Sequence, residues 1–322
     1  MTRLAAARPA TWPAVDVIVA ANGASGALRR SIASILEQSY PAAIRVVVVS
    51  DQQCADDLTP ARGASTRHPR VVEVRRNSRS AGTSGARNCG IEAATAPVVA
   101  FCDVGDLWLD GKLSRQVAVL RSDPAAALVT MGVRMRCRGH THDRVVPEGQ
   151  VDTRSLMRDR LSRLHPSTFV MSREAVVSGI GLLDEVNVGT RVADLEFLVR
   201  ATRWAPLRNV PGVGVEVARR GSSTAIGSPT GVAAELTWLL DTCPELSRAP
   251  TAEARVCGQI ALASAAEGDR RAAARWAGYS LARNVVEPRA YLALAVAGGL
   301  MNARGATQLL STHNQPTVGI LT

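Results

Sequence analysis

The stretch VDVIVAANGASGALRRSIASILEQSYPAAIRVVVVS, residues 15–50, decides the fold. It begins and ends with short apolar runs that are rich in β-branched residues, which favour strands. Between the two runs, the apolar residues recur at intervals of four, three and one, the spacing of one helical stripe. These residues are Leu28, Ile32, Ile35 and Leu36. A strand, a helix and a second strand in this order predict a unit with parallel strands.

The same alternation continues towards the C-terminus. Strand-like VVEV (71–74) and PVVAFC (97–102) alternate with helix-like GARNCGIEAA (85–94) and KLSRQVAVL (112–120). Strands that alternate with helices predict an α/β, Rossmann-like fold with a mostly parallel sheet and helices on both faces.

From about Ser228 the chain becomes rich in alanine, and its apolar spacing is helical. Breaks between the helical segments fall at Pro244, Pro250, Gly268 and Pro288. We therefore predict an α/β domain over residues 12–225, a C-terminal α-helical region over 226–312 and a tail over 313–322. The helical region either contacts a partner or simply covers the core, and the sequence leaves both readings open.

Composition limits the classes of partner. The chain has 322 residues, 46% of them apolar, which is enough for a sizeable core, and its net charge of +10 suits anionic partners. Nucleic acid, anionic lipid and phosphorylated small molecules all fit that charge. The arginines are scattered and are not interleaved with aromatic residues, so we expect no nucleic-acid binding.

Cysteine spacing and apolar runs bear on the compartment. The six cysteines form no C-x-x-C pair and no zinc-ligand spacing, so we expect free thiols in a reducing compartment. The first apolar run contains Asp16 and is interpreted as a strand and not as a signal peptide, and Tyr291–Met301 is too short to span a bilayer. We predict a cytoplasmic protein, and leave open peripheral membrane contact and a homo-oligomer.

Polar residues follow three of the predicted strands. Asn22 follows the first, Ser50 and Asp51 the second, and Asp103 comes directly after PVVAFC. Ligands of open α/β sheets bind outside the carboxyl ends of the strands. These residues are therefore the first site candidates on physical grounds alone.

A nicotinamide-binding turn is the first rival interpretation. Gly23 and Gly26 follow the first strand, but Arg29 and Arg30 stand where a third glycine would let the helix pack closely on the sheet. No later Tyr-x-x-x-Lys pair is present either. We predict no organic cofactor.

Several ordered motifs resemble glycosyltransferase family 2, whose members have the GT-A fold. The most specific is GTSGARNCGIEAATAPVVAFCDVGDLWLDGKL, residues 82–113, and the likeness covers about residues 15–225. Further matching segments are residues 15–41, 46–57, 165–185 and 193–203. The resemblance implies a GT-A-like domain and an inverting transfer of a sugar from a nucleoside-diphosphate sugar to an acceptor hydroxyl. UDP is the family's commonest nucleotide; the acceptor is a glycan, a lipid carrier or a small-molecule scaffold.

Carried over by position, the resemblance assigns a donor-nucleotide pocket. Its expected residues are Ala20, Asn22, Asp51, Arg87 and Asp103. A helix-capping or core ion-pair role for Arg87 is the structural alternative.

The D-x-D-D position of the family holds a divalent cation, Mg²⁺ or Mn²⁺, and matches Asp103, Gly105 and Asp106. A glycine has no ligand oxygen. Either Asp103 and Asp106 bind the metal, or Arg219 and Arg220 provide the diphosphate's counter-charge instead.

Asp194 matches the family's general base, and Ala193 replaces the glutamate that usually precedes it. A cap or helix-dipole partner is the structural alternative for Asp194. His165 is expected on the acceptor side. Since Gly105 and Ala193 replace carboxylates, a non-catalytic protein that binds a nucleotide sugar or a partner protein is the second interpretation.

Overall fold

The computed structural model describes residues 11–23, 25–52, 68–137, 140–145, 149–158, 164–185, 190–218 and 229–313. The chain divides into two compact units. Unit 1 comprises Met1–Asp152, Arg163–Glu185 and Arg200–Gly221, and unit 2 comprises Thr153–Ser162, Val186–Val199 and Ser222–Thr322. The predicted domain limits at residues 225 and 312 stay predictions.

Within the described part of the chain, ten strands form one sheet. They are β1 (Val15–Ala21), β2 (Ile44–Ser50), β3 (Arg70–Arg76), β4 (Val98–Phe101), β5 (Leu107–Trp108), β6 (Leu128–Cys137), β7 (His140–Arg144), β8 (Gly149–Val151), β9 (Val170–Ser172) and β10 (Leu207–Ala218). The spatial order is β3-β2-β1-β4-β9-β6-β10-β5, with β7 beside β6 and β8 beside β10.

The helices divide between the units. Unit 1 contains α1 (Gly26–Leu36), α2 (Thr83–Ala93), α3 (Lys112–Ser122), a 3-10 turn (Pro166–Thr168) and α5 (Arg173–Ala175). Unit 2 contains α4 (Thr153–Arg158), α7 (Pro229–Thr242), a 3-10 turn (Pro244–Arg248), α8 (Pro250–Ala266), α9 (Arg270–Arg283), α10 (Pro288–Ala297) and α11 (Ala303–His313). Helix α6 (Thr190–Trp204) contributes residues to both.

Parallel pairing places the strand ends that matter for function. Strands β3, β2, β1 and β4 are parallel neighbours, with Ala21 opposite Ser50 and Ile18 opposite Phe101. Strand β9 then pairs antiparallel with β4, and β6 is parallel to β10. The carboxyl ends of β1, β2 and β4 therefore share one edge. The predicted α/β, mostly parallel GT-A-like sheet with C-terminal helices is confirmed.

The core of unit 1 depends on one close helix–strand approach. Strand β2 buries Val46–Val49 completely, as expected for a central parallel strand. On α2, a Cβ added to Gly90 would lie 2.4 Å from Cγ2 of Ile18 on β1, which is closer than two carbon atoms can approach. Glycine at 90 therefore lets α2 lie directly on the sheet.

The segment SREAVVSGIG, residues 172–181, does not form one continuous α-helix. Helix α5 ends at Ala175, and Val176–Ile180 continue as a π-helix that stops before Gly181, which has φ +86°. Ser172 is the N-cap of α5, because its Oγ accepts from the backbone N–H of Ala175 at 3.4 Å.

Alanines form the core of unit 2. Helices α8, α9 and α10 bury one another's alanines, which allow the backbones to approach closely: Ala261, Ala265, Ala273, Ala277, Ala290 and Ala293. Oγ of Ser280 donates to the carbonyl of Ala254 at 2.7 Å and joins α9 to α8. Throughout the described ranges, each helix falls short of the length and apolarity that crossing a membrane requires.

Candidate functional site

A buried arginine fixes the carboxylate at the end of β4. Asp103 follows Cys102, and its side chain is 33% exposed at the edge of the sheet. Arg87 of α2 is 1% exposed, and its Nη2 donates to Oδ1 of Asp103 at 2.6 Å. The guanidinium carbon also lies 5.2 Å from the ring centroid of Phe101. Two predicted site residues are thus in contact as an ion pair, and their expected place in a donor-nucleotide pocket stays a prediction.

Ser167 joins the two aspartates of the loop. Its Oγ accepts from the backbone N–H of Asp103 at 2.9 Å and donates to Oδ2 of Asp106 at 2.6 Å. Ser167 lies on the 3-10 turn that precedes β9 and is completely buried. The sequence analysis assigned no role to Ser167, and its place directly after His165 and Pro166 was the only signal.

The two aspartates differ in their pKa values. Burial works to raise the pKa of Asp103, but the charges of Arg87 and His165 outweigh burial and lower it. Asp106 is 5% exposed, and burial, opposed by His165 and aided by the charge of Asp103, raises its pKa to about 6. Crowded carboxylates of this kind attract a cation.

His165 lies beside these carboxylates. Its Nδ1 is 3.4 Å from Oδ2 of Asp106, and it also accepts from the backbone N–H of Ser167 at 3.3 Å. Ligand atoms of Asp103, Asp106 and His165 all lie within 4.8 Å of one another. The sequence placed His165 on the acceptor side, and whether it contacts an acceptor stays a prediction.

The backbone conformation explains in part why residue 105 is a glycine. Gly105 has φ +100°, a conformation that side-chain-bearing residues rarely adopt, and its N–H donates to Oγ of Ser31 at 2.9 Å. An aspartate at this position would be strained. Asp103 and Asp106 therefore flank a turn in which Gly105 has no side chain.

Asp51 holds the segment that leads into α2. Its Oδ1 accepts from Nδ2 of Asn77 at 2.6 Å, and its Oδ2 accepts from the backbone N–H of Gly82 at 2.8 Å. Each carboxylate oxygen has a second lone pair for a ligand. Asn22 is exposed after β1, and Ala20 packs half-buried against Val47, Val49, Ala86 and Cys89.

Glu185 is a further residue at this edge to which sequence reasoning gave no role. It accepts from Nε of Arg79, from Nδ2 of Asn88 at 2.6 Å and from the N–H of Ser80 at 3.2 Å. Burial works to raise the pKa of Glu185, but these donors outweigh it and lower it. The glutamate ties residues 181–185 to α2, and the only signal was its position at the end of the matching LLDE stretch.

Lys112, the first residue of α3, is a buried lysine beside Trp108. It is 1% exposed, its Nζ lies 3.7 Å from the ring centroid of Trp108, and it has no hydrogen-bond partner among the described residues. Burial lowers the pKa of Lys112 to about 7.

The remaining predicted site residues are Asp194, Arg219 and Arg220. Asp194 is the fifth residue of α6, 9% exposed and part of unit 2, so it is not the N-cap of that helix. Arg219 and Arg220 lie outside the described residues. Their expected role at the diphosphate stays a prediction.

The profile of the family described as "Glycosyl transferase family 2" matches residues 16–177, half of the chain. Succinoglycan biosynthesis protein ExoO of Rhizobium meliloti is 36% identical over 119 residues, 37% of this chain and 32% of ExoO. The Escherichia coli UDP-Glc:alpha-D-GlcNAc-diphosphoundecaprenol beta-1,3-glucosyltransferase WfaP is 26% identical over 109 residues, 34% of this chain and 42% of WfaP. The match thus spans less than half of either relative.

Two solved structures have a similar fold. Staphylococcus aureus TarS 1–349 in complex with UDP-GlcNAc aligns with 94% of this chain and 93% of its own, with a TM-score of 0.56 and 14% identity. Mannosyltransferase PcManGT from Pyrobaculum calidifontis, in complex with GDP-Man and Mn²⁺, aligns with 96% of this chain and 81% of its own, with a TM-score of 0.50 and 19% identity.

Proposed function

Since the chain belongs to glycosyl transferase family 2, we propose that it is an inverting glycosyltransferase that moves a sugar from a UDP-sugar to an acceptor hydroxyl. One observation carries the proposal: Asp103, Asp106 and His165 converge at the carboxyl end of β4, backed by the buried Arg87. Ligands of open parallel sheets bind at this edge. UDP is favoured as the nucleotide because TarS is in complex with UDP-GlcNAc and WfaP is named for UDP-Glc.

The three side chains fit a divalent cation. Two carboxylates and one imidazole within 4.8 Å offer two oxygens and one nitrogen, a set that suits Mn²⁺ better than Mg²⁺, which prefers oxygen. The imidazole of His165 compensates for the ligand that Gly105 lacks. When bound, the cation supplies positive charge for the diphosphate leaving group.

We assign the general base to Asp194. It is a buried carboxylate on α6, in the ADLEFLVR segment that resembles the family's base-bearing helix. The carboxylate takes the proton of the acceptor hydroxyl while the oxygen attacks the anomeric carbon. The nucleoside diphosphate leaves with the bonding electron pair from the opposite face, and the configuration inverts.

The acceptor is the least determined partner. A glycan, a lipid carrier and a small-molecule scaffold all provide a hydroxyl. The name of WfaP specifies a sugar on diphosphoundecaprenol, so a lipid-linked sugar is the first acceptor to test.

The experiment couples binding to turnover. Thermal-shift titrations with UDP, GDP and dTDP, each with Mn²⁺ or with chelator, identify the nucleotide, since a ligand of the native state raises the midpoint. Release of the nucleoside diphosphate from its sugar, with each acceptor class, then measures turnover. We expect Asp194→Asn to lower turnover by about 10²-fold or more and to leave the UDP shift intact. The matched control is Asp241→Asn, an exposed aspartate on α7 of the same unit.

Two outcomes would oppose the proposal. Full turnover by Asp194→Asn would remove that residue as the base. A UDP-dependent shift in the wild type without turnover on any acceptor class would favour the non-catalytic interpretation, which Gly105 and Ala193 keep open.

A further inference from the structure

Exposed apolar side chains concentrate in one short part of unit 2. Of the thirteen large apolar side chains that are exposed among the described residues, seven lie between residues 279 and 309. They are Tyr279, Val285, Val286, Tyr291, Leu294, Leu300 and Leu309. Alanines already fill the core between α8, α9 and α10, so this packing does not bury these larger side chains. Concentrated exposed apolar surface is typical of an interaction site.

Four of these residues form what we call the apolar tip: Val285, Val286, Tyr291 and Leu294. The two valines occupy the turn between α9 and α10 and are 68% and 75% exposed. The hydroxyl of Tyr291 donates to the carbonyl of Val285 at 2.6 Å, which holds the ring beside this turn. Leu294 follows Tyr291 by three residues on α10, on the same side of the helix.

Arginines lead along α9 to the apolar tip. Arg271, Arg275, Tyr279 and Arg283 recur at intervals of four, so they form one stripe, and all four are exposed. We call this the arginine stripe. Arg283, at its end, is two residues from Val285, and one of its nitrogens pairs with Glu253.

Acidic residues are few along α9, α10 and α11, although the exposed Glu267 and Asp269 lie just before α9 and Glu253 pairs with Arg283. Residues 270–313 contain six arginines and one acidic residue, Glu287. Glu287 is 4% exposed and pairs with Arg289 at 2.7 Å, so it presents little negative charge to a partner. Apolar side chains flanked by arginines are the pattern of proteins that lie on anionic membranes.

We propose that the arginine stripe and the apolar tip bind an anionic phospholipid surface. The valines and Tyr291 enter the boundary between headgroups and acyl chains, while Arg271 and Arg275 contact lipid phosphates. A second copy of this chain is disfavoured as the occupant, because a two-fold interface on this surface would gather the like charges of two arginine stripes in one contact area. Membrane binding by this surface requires neither a nucleotide-sugar donor nor Asp194. The experiment that tests it is therefore independent of the test for sugar transfer.

Vesicle flotation tests the proposal with the full chain. One set of vesicles is an equimolar mixture of phosphatidylglycerol and phosphatidylcholine, and the other is phosphatidylcholine alone. We expect the protein to float with the anionic vesicles only, and high salt to weaken binding because it screens the arginine charges. Val286→Asp should weaken binding about tenfold or more, since it places a carboxylate at the tip.

Controls separate binding from folding. Val177→Asp changes a valine that is 52% exposed in unit 1 and should bind like the wild type. Arg271→Glu combined with Arg275→Glu should abolish the preference for anionic vesicles, and circular dichroism should report unchanged helix content. Equal flotation with both vesicle types, unaltered binding by Val286→Asp, or a dimer that Val286→Asp dissociates while vesicles are ignored would each overturn the proposal.

Discussion

Nδ1 of His165 lies 3.4 Å from Oδ2 of Asp106, so an imidazole stands beside the aspartates of a loop in which Gly105 offers no ligand. The two residues are far apart in the sequence. The 3-10 turn before β9 brings them together, because β9 pairs directly with β4.

His165→Ala and Asp106→Asn should each weaken Mn²⁺ binding about tenfold or more, because each removes one of three ligand groups. Isothermal titration of the chain with MnCl₂ measures the affinity. His142→Ala is the matched control, since His142 is exposed on β7. Wild-type affinity in both variants would exclude this ligand set.

Arg87→Met should destabilise the protein by about 2–4 kcal/mol, because it leaves the carboxylate of Asp103 without its buried cation. Urea unfolding measures the free energy. Arg134→Met also removes one partner of an arginine–aspartate pair, but the pair with Asp143 is exposed, so the expected loss is about 0.2–1 kcal/mol. Equal losses in the two variants would contradict the argument.

Asp16→Asn should make the free energy of unfolding decrease less as the pH is lowered. Burial works to raise the pKa of Asp16, but Arg45 and the N–H groups of Ala96 and Thr95 outweigh burial and lower it below the ordinary 3.8. Because the folded value is the lower one, the carboxylate stabilises the fold above the unfolded value. That contribution is lost as the pH falls through the folded value.

Urea midpoints between pH 7 and pH 3 measure this dependence. The variant should be less stable at pH 7 by about 2–4 kcal/mol and should approach the wild type in acid. A constant difference across the range would show that Asp16 does not titrate with folding.

Gly90→Ala should destabilise the protein by about 1–3 kcal/mol, because the new methyl group would meet Ile18. Gly278→Ala is the matched control on the exposed side of α9, where an added Cβ meets nothing within 4 Å. The control should stabilise by up to about 1 kcal/mol through helix propensity. Thermal midpoints compare the two; a neutral Gly90→Ala would mean that α2 moves away from the sheet freely.

Lys112→Met should make stability less dependent on pH above neutrality. Burial lowers the pKa of Lys112 from 10.5 to about 7, so the unfolded chain binds more protons between these values. Wild-type stability should therefore rise with pH across that window, by up to about 4 kcal/mol for this single group. Urea midpoints at pH 7 and pH 9 measure how stability changes with pH. An equal change in the variant and the wild type would contradict the attribution to Lys112.

The order of β1 to β4 with the helices between them, and the position of the site edge, followed from the sequence alone. Runs such as VDVIVAA and IRVVVVS are rich in β-branched residues and favour strands whatever their place in the sheet. The carboxyl ends of parallel strands lie at the same edge of a sheet, whatever the order of the strands. Asn22, Asp51 and Asp103 could therefore be placed at that edge from local pattern and chain direction.

Tertiary structure decided which side chains meet there. His165 and Ser167 reach the edge through the antiparallel pairing of β9, and Glu185 through its hydrogen bond to Asn88 of α2. Local pattern gives the positions of these residues in the chain but does not predict which side chains they contact. Gly105 looked like the loss of a ligand, whereas its φ of +100° is a property of the folded loop. Local propensity determines where strands and helices begin and end to within a few residues. Contacts between residues about sixty positions apart in the sequence depend on how the whole sheet packs.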